Sequence, residues 1–256
     1  MIIAKAHGAG LSTMPLAQGR VAANQIFNLL PHAAVDQLAP ALECVELRRG
    51  QCLFEPGDDV AHVHFPLLST VVALVVPMRD GRMVEVATIG REGAVGSVTL
   101  GHRPVFVRAS VHISGNAVRI PRKTLDEMRL AIPRVHDLLS KYADCLAAQV
   151  FQSAACAAVH SLEARCARAL LLTHDRLQQP ELPLTQEMLA DMFGATRTYV
   201  TRIARRLQKR GAITYRRGVI RVVRRELLEE TVCECYGRVR RHFDRMEPGL
   251  YPGTEP

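Results

Sequence analysis

The chain has 256 residues, 48% hydrophobic and 23% charged, which fits one large or two ordinary globular domains and excludes a disordered or fibrous chain. No apolar run approaches the roughly 20 residues that span a bilayer. Lys5, His7 and several glycines interrupt the N-terminal stretch before a signal-peptide core can form, so a cytoplasmic protein with no membrane partner is expected. The net charge of +8 is local. Eleven of the 33 Lys and Arg lie between Arg197 and Arg225 with no Asp or Glu among them, and the rest are outnumbered by the 25 acidic residues. Such a patch favours a polyanionic partner, because each neutralised phosphate releases condensed counterions.

In chain order, residues 1–24 form a loosely patterned arm, and a helical stretch runs from about Asn24 to Leu42. Residues 25–121 then carry short β-branched runs with Gly or Pro every eight to twelve residues, the pattern of an antiparallel roll or sandwich. Asp80-Gly81 between Val-rich segments marks a hairpin. The period changes at about Arg122, and residues 134–177 contain no Gly or Pro. Within residues 122–160, a connector and long helix, a seam reads through Leu139, Tyr142, Leu146, Gln149, Ser153 and Cys156. Small residues surround it at Ala143, Ala147, Ala148, Ala154, Ala155 and Ala157, which suggests pairing with a second copy in a homodimer.

Residues 161–225 hold the segment "LTQEMLADMFGATRTYVTRIARRLQKRG". Leu184, Met188, Leu189 and Phe193 form the inner face of a first helix that Thr185 can cap, and Gly194 supplies a turn. Thr196 caps a second helix whose Val200, Ile203, Ala204 and Leu207 follow helical spacing. Arg197, Thr198, Thr201, Arg202 and Arg205 are left on the outer face. Arginine can donate two parallel hydrogen bonds to guanine, and threonine can donate to base edges or pack on thymine. Double-stranded DNA is the expected partner, with Arg197, Thr198, Thr201 and Arg202 reading bases. Thr185, Thr196, Arg205 and the hairpin-tip residues Arg216 and Arg217 would contact phosphates. Residues 226–256 read as a short amphipathic helix and a mobile Pro/Gly-rich tail.

Seven cysteines invite a metal or redox reading. Residues 1–43 contain none, so an N-terminal iron–sulfur cluster is not expected, and Cys233-x-Cys235 is too tight and solitary for a zinc knuckle. Cys145, Cys156 and Cys166 read as helix-packing residues. His62 and His64 share one strand face and read as strand-surface histidines. No metal site and no cofactor is expected. The chain contains no phosphate-cradling glycine loop, HExxH motif or nucleophile elbow, and it is not expected to be an enzyme.

The segments "LRRGQCLFEPGD", "MRDGRMVEVATIGREGAVG" and "LTQEMLADMFGATRTYVTRIARRLQKRGAI" resemble the Crp/Fnr family of bacterial transcription regulators over residues 25–225. The resemblance implies an α+β fold: an antiparallel, jelly-roll-like β-roll related to cyclic-nucleotide-binding domains, a long dimerisation helix, and a C-terminal winged helix-turn-helix. It implies a phosphate contact for Thr185 and base contacts for Arg197, Thr198 and Arg202. Threonine at 198 stands where relatives often carry a glutamate, so operator preference should differ. In the sensor, Gly96 is kept, Ser97 replaces the ribose-binding glutamate, Arg103 stands near the phosphate-binding arginine, and Pro104 replaces a hydroxyl residue. An effector pocket at Gly96, Ser97 and Arg103 is implied, but cyclic AMP would leave polar groups unpaired there. The reading is a homodimeric, sequence-specific regulator on a near-palindromic operator, with RNA polymerase as a further partner and no identified effector. The alternatives are a nonspecific architectural DNA-binding protein and a redox or metal sensor using the cysteines.

Overall fold

The computed structural model describes residues 23–96 and 104–252. Prolines shape the start of the chain. The helical stretch forms as α1 (Gln25–Asn28) and α2 (His32–Leu38), parted at Pro31 and closed by a 3-10 turn, Ala39–Ala41, that contains Pro40. Asn24 caps α1 by accepting from the Ile26 N–H, and its buried amide donates to the Pro66 and Gly93 carbonyls at 2.9 Å each. The cap thereby ties the helix to the β-domain.

Seven antiparallel strands follow: β1 (Glu43–Leu47), β2 (Cys52–Phe54), β3 (His62–Pro66), β4 (Val71–Pro77), β5 (Met83–Ile89), β6 (Arg108–Ile113) and β7 (Gly115–Pro121). They form two sheets, ordered β1-β7-β3 and β2-β6-β4-β5, which is the expected roll. Asp80-Gly81 does turn the β4–β5 hairpin, and Asp80 accepts from the Arg82 side chain at 2.8 Å. Leu47, Phe54, Val72, Ile89, Val111 and Ala117 fill the space within the roll.

The helical half consists of α3 (Arg122–Ala131), α4 (Pro133–Val159), α5 (Leu162–Leu177), α6 (Gln186–Phe193), α7 (Arg197–Lys209), α8 (Arg225–Glu229) and α9 (Cys235–Met246). A second small sheet, β8-β10-β9, comprises β8 (Glu181–Leu182), β9 (Ile213–Arg216) and β10 (Val219–Val222). Pro133 opens α4 at the one place where its missing N–H costs nothing. The break between α4 and α5 falls inside the run without Gly or Pro, at His160, and Ser161 caps α5 by accepting from the Ala164 N–H. One continuous apolar core runs from Phe65 and Ile120 in the roll through Leu138 and Leu170 to Leu189 and Ile203.

Two sequence expectations are corrected. The seam residues of α4 face their own chain. Leu139, Tyr142, Gln149 and Cys156 are buried and Leu146 and Ser153 half-buried, with the Tyr142 hydroxyl donating to the Ala94 carbonyl at 3.1 Å. The side chains left in solvent lie on the opposite face: Phe151 (73% exposed), Ala154 and Ala158, with Val159 (74%) beside them. A helix with two apolar faces has one period, which by itself does not say which face packs inward. The C-terminal tail is also packed rather than loose through Pro252. Leu250 and Tyr251 are buried, and Glu247 accepts from Arg134 at 2.6 Å and Lys141 at 3.1 Å near the start of α4. Tyr236 and Tyr251 both donate to Asp175 of α5, at 2.8 and 3.2 Å.

The halves meet around Arg176. Its fully buried guanidinium donates to Glu92 at 2.7 Å, to the Thr88 hydroxyl at 2.6 Å and carbonyl at 2.8 Å, and to Gln149 at 3.2 Å. Arg176→Met should cost roughly 3–5 kcal/mol in urea unfolding, since Glu92 loses its partner. Arg176→Met combined with Glu92→Gln should recover much of that loss, and a single variant as stable as wild type would contradict the assignment.

Near this junction, burial pushes the Glu85 carboxyl up from 4.5 to about 8, partly offset by Arg176 and Arg168. His112, 3.4 Å from its carboxylate, is held neutral by burial, with its own pKa lowered to about 4. The folded state therefore holds the Glu85 proton more tightly than the unfolded chain does. The associated stability is complete below pH 4.5 and is lost as pH rises toward about 8. Glu85→Gln removes that slope. Its stability relative to wild type, measured by urea midpoints, should grow between these limits, and parallel profiles would refute the shift.

Candidate nucleic-acid interface

Local chemistry builds the site. Thr185 caps α6, its hydroxyl accepting from the Met188 N–H at 3.1 Å. Gly194 ends α6 at φ 59°, a left-handed position that glycine adopts at little cost, and Thr196 then caps α7 through the Tyr199 N–H at 3.4 Å. Val200, Ile203, Ala204 and Leu207 are buried, which fixes the orientation of α7. On α6 the inner face differs slightly from the reading. Leu184 and Leu189 are buried with Met192, whereas Met188 is half-buried and Phe193 lies half-buried under the Arg165 guanidinium, 5.2 Å from the ring centroid.

With those apolar residues inside, Arg197, Thr198, Arg202 and Arg205 are exposed on the opposite face. Thr201 is only half-exposed. Its hydroxyl lies 2.6 Å from Gln186 Oε1 and 2.8 Å from the Arg197 carbonyl, so its proton is engaged in tying α7 to α6. Sequence reasoning missed Gln186, and it missed Tyr199, 43% exposed beside Thr198. The only available signal was that Tyr199 does not fit the apolar spacing of α7. The β9–β10 hairpin turns through Arg217 (φ 49°) and Gly218 (φ 79°), the pair of positive angles that a tight two-residue hairpin demands, with Arg216 and Arg217 exposed at its tip.

The eleven basic residues separate into two sets. Arg206 pairs with Glu163 at 3.3 Å, Arg210 with Glu230 at 3.3 Å, Arg221 with Glu181 at 3.5 Å and Arg225 with Asp175 at 2.9 Å, while Arg224 donates to the Arg210 carbonyl at 2.8 Å. Arg197, Arg202, Arg205, Lys209, Arg216 and Arg217 have no acidic partner among the described residues. The compensated cations fasten this unit together, and the uncompensated ones lie on the outer face of α7 and the hairpin tip.

The β-domain packs against this unit. Helix α6 lies on β5, and a cleft of about 710 Å³ separates Asp80, Arg82 and Met83 from Asp191, Gly194 and Thr196. Of the implied effector residues, Ser97 and Arg103 lie outside the described residues. Gly96, at φ 132°, sits where an added Cβ would be 3.2 Å from the His62 carbonyl. His62 and His64 do share a face, lining a recess of about 370 Å³ with Arg119. Burial, with Arg119 and His62 adding to it, lowers the His64 pKa to about 4, so that imidazole is neutral.

A helix-turn-helix with a β-hairpin wing, joined by a long helix to an antiparallel roll, is the architecture of Crp/Fnr-type transcription regulators. Residues 164–231 match the Crp-like helix-turn-helix domain. About three quarters of the chain superposes on solved structures of this fold, Crp/Fnr regulators among them. FixK2 from Bradyrhizobium japonicum superposes with a TM-score of 0.66 at 17% identity, over 75% of this chain and 98% of that one. CLP, described as a c-di-GMP-responsive global regulator in Xanthomonas campestris, gives 0.62 at 15% identity over 76% and 100%. A CRP/FNR-family transcriptional regulator from Thermus thermophilus gives 0.58 at 20% identity over 74% and 97%. The search of curated proteins finds no match. No helix among the described residues is long and apolar enough to cross a membrane.

Proposed function

We propose that this protein is a homodimeric, sequence-specific DNA-binding transcription regulator. The observation that carries the reading is the segregation of cations: those on the outer face of α7 and at the hairpin tip are exposed with no acidic partner among the described residues, while Arg206, Arg210, Arg221 and Arg225 pair with carboxylates. In this reading Arg197, Thr198 and Arg202 read base edges in the major groove, and Thr185, Thr196, Arg205, Arg216 and Arg217 hold phosphates. Thr201 positions the helix through Gln186 and contributes at most its methyl group. Two copies pair through the outward face of α4, along Ala147, Phe151, Ala154 and Ala158, and place their recognition helices about 34–36 Å apart on a near-palindromic site. RNA polymerase is the expected second partner.

A signal received by the roll acts through α4 and the Arg176 junction, and it can do so only by favouring one arrangement of the halves over another. Cyclic AMP is not proposed as that signal, because Ser97 and Pro104 stand where its carboxylate and hydroxyl partners would be needed.

Selection from a random duplex library at about 0.15 M salt should enrich a two-fold symmetric motif. Arg197→Ala should cost roughly 1–3 kcal/mol and relax one base position per half-site, whereas Arg217→Ala should weaken all sequences alike and lower the salt slope by about 1. Equal losses on selected and random DNA for Arg197→Ala would instead mean an architectural, backbone-only binder. Phe151→Lys should yield a monomer in analytical ultracentrifugation with its melting temperature little changed. A dimer that survives this substitution would place the pairing surface elsewhere.

A further inference from the structure

Four metal-ligating side chains from distant parts of the chain converge beyond the interface. Cys156 lies in the last turn of α4 and His160 just past its end, one helical turn further on. Cys233 and Cys235 flank Glu234 at the start of α9. Each offers one ligand atom, and all four atoms lie within 4.8 Å of one another. Cys156 Sγ is 3.5 Å from Cys233 Sγ, and Cys235 Sγ is 3.5 Å from His160 Nδ1. Zn–S bonds of about 2.3 Å in tetrahedral geometry put neighbouring ligand atoms about 3.8 Å apart, so the cluster is near the size of a single-ion cage. An iron–sulfur cluster needs its ligands spread around several irons, and there is no room for that here.

We propose that Cys156, His160, Cys233 and Cys235 form a Cys3His site for one zinc ion, fastening α9 to the junction of α4 and α5. The surroundings fit. The three cysteines are buried and free, and all the donors are of the types that close a structural zinc site. With His160 Nδ1 facing the cage, its Nε2 lies 3.1 Å from Glu234, the carboxylate-to-imidazole contact that fixes the tautomer and orientation of a zinc-binding histidine. Gln152 Nε2 donates to Cys235 Sγ at 3.0 Å, as an outer group does to a metal-bound thiolate. The site would carry one net negative charge, and Arg168, which donates to Ser153 of α4 at 3.4 Å and whose buried Nη1 has no hydrogen-bond partner among the described residues, is a nearby cation. The other buried cysteines show no such assembly. Burial pushes Cys145 and Cys166 up to about 12, which suits inert packing residues. Cys233-x-Cys235 is too tight for a zinc knuckle only if it must build the site with nearby residues. The fold supplies the other two ligands from 73 to 79 residues away. The site is independent of the DNA-binding reading and is tested without DNA.

The full-length protein, purified under reducing conditions without added chelator, should retain one zinc per chain by elemental mass spectrometry. After chelation, titration with cobalt(II) should give one equivalent of binding with thiolate-to-cobalt charge-transfer bands and the intense visible bands of tetrahedral coordination. Adding zinc should displace the cobalt and raise the melting temperature. Cys233→Ser combined with Cys235→Ser should abolish both signals, Glu234→Gln should weaken zinc binding about 10–100-fold, and Cys44→Ser on exposed β1 should change neither. Folded wild-type protein with its thiols titratable but no stoichiometric zinc and no tetrahedral cobalt spectrum would overturn the proposal. So would a Cys156–Cys233 disulfide persisting in the reducing preparation.

Discussion

The buried guanidinium of Arg176 sets the relation between the two halves of this molecule. It extends from α5 to Glu92 and Thr88 in the roll and to Gln149 on α4, so three structural units share one charged group. A buried ion pair of this kind adds little net stability over a well-packed apolar contact, but it tolerates few alternative geometries, because any shift strands a charge. An added Cβ at Gly90 would lie 2.7 Å from Arg176 Cδ, so the loop after β5 is shaped around the same side chain. The junction therefore specifies how α6 and α7 sit against the roll.

The long helix α4 extends that constraint from the roll to α9. One face is occupied by the roll, where Tyr142 and Gln149 donate to the Ala94 and Thr88 carbonyls. Another is covered by α9, held near the start of α4 by Glu247 and near its end by the cysteine and histidine cluster. The strip that remains carries Asp137 and Asp144 in its first half and Phe151 with alanines in its second. A helix restrained on two sides moves as a rigid body. In the regulator proposed above, this would let an event in the roll change the spacing of two recognition helices.

Much of the fold and the interface was legible because it rests on local chemistry. The Asp80-Gly81 turn, the caps at Thr185 and Thr196, the Gly194 turn and the apolar spacing of α7 all depend on residues within a few positions of one another. The exposure of Arg197, Thr198 and Arg202 follows from that spacing. Thr201 was harder to place, because its hydroxyl partner, Gln186, belongs to another helix.

The sequence by itself determined the β-to-helix order, the winged helix-turn-helix and its outward arginines, since hydrophobic period, capping and charge runs are short-range properties of a chain. Tertiary structure alone decided which face of α4 turned inward, that the final segment packs through Leu250 and Tyr251, which arginines are neutralised, and that Cys156 and His160 meet Cys233 and Cys235. Each of these outcomes is a contact between residues far apart in sequence. Periodicity identifies an apolar face or a ligand-bearing side chain, but only the packed chain brings its partner within reach.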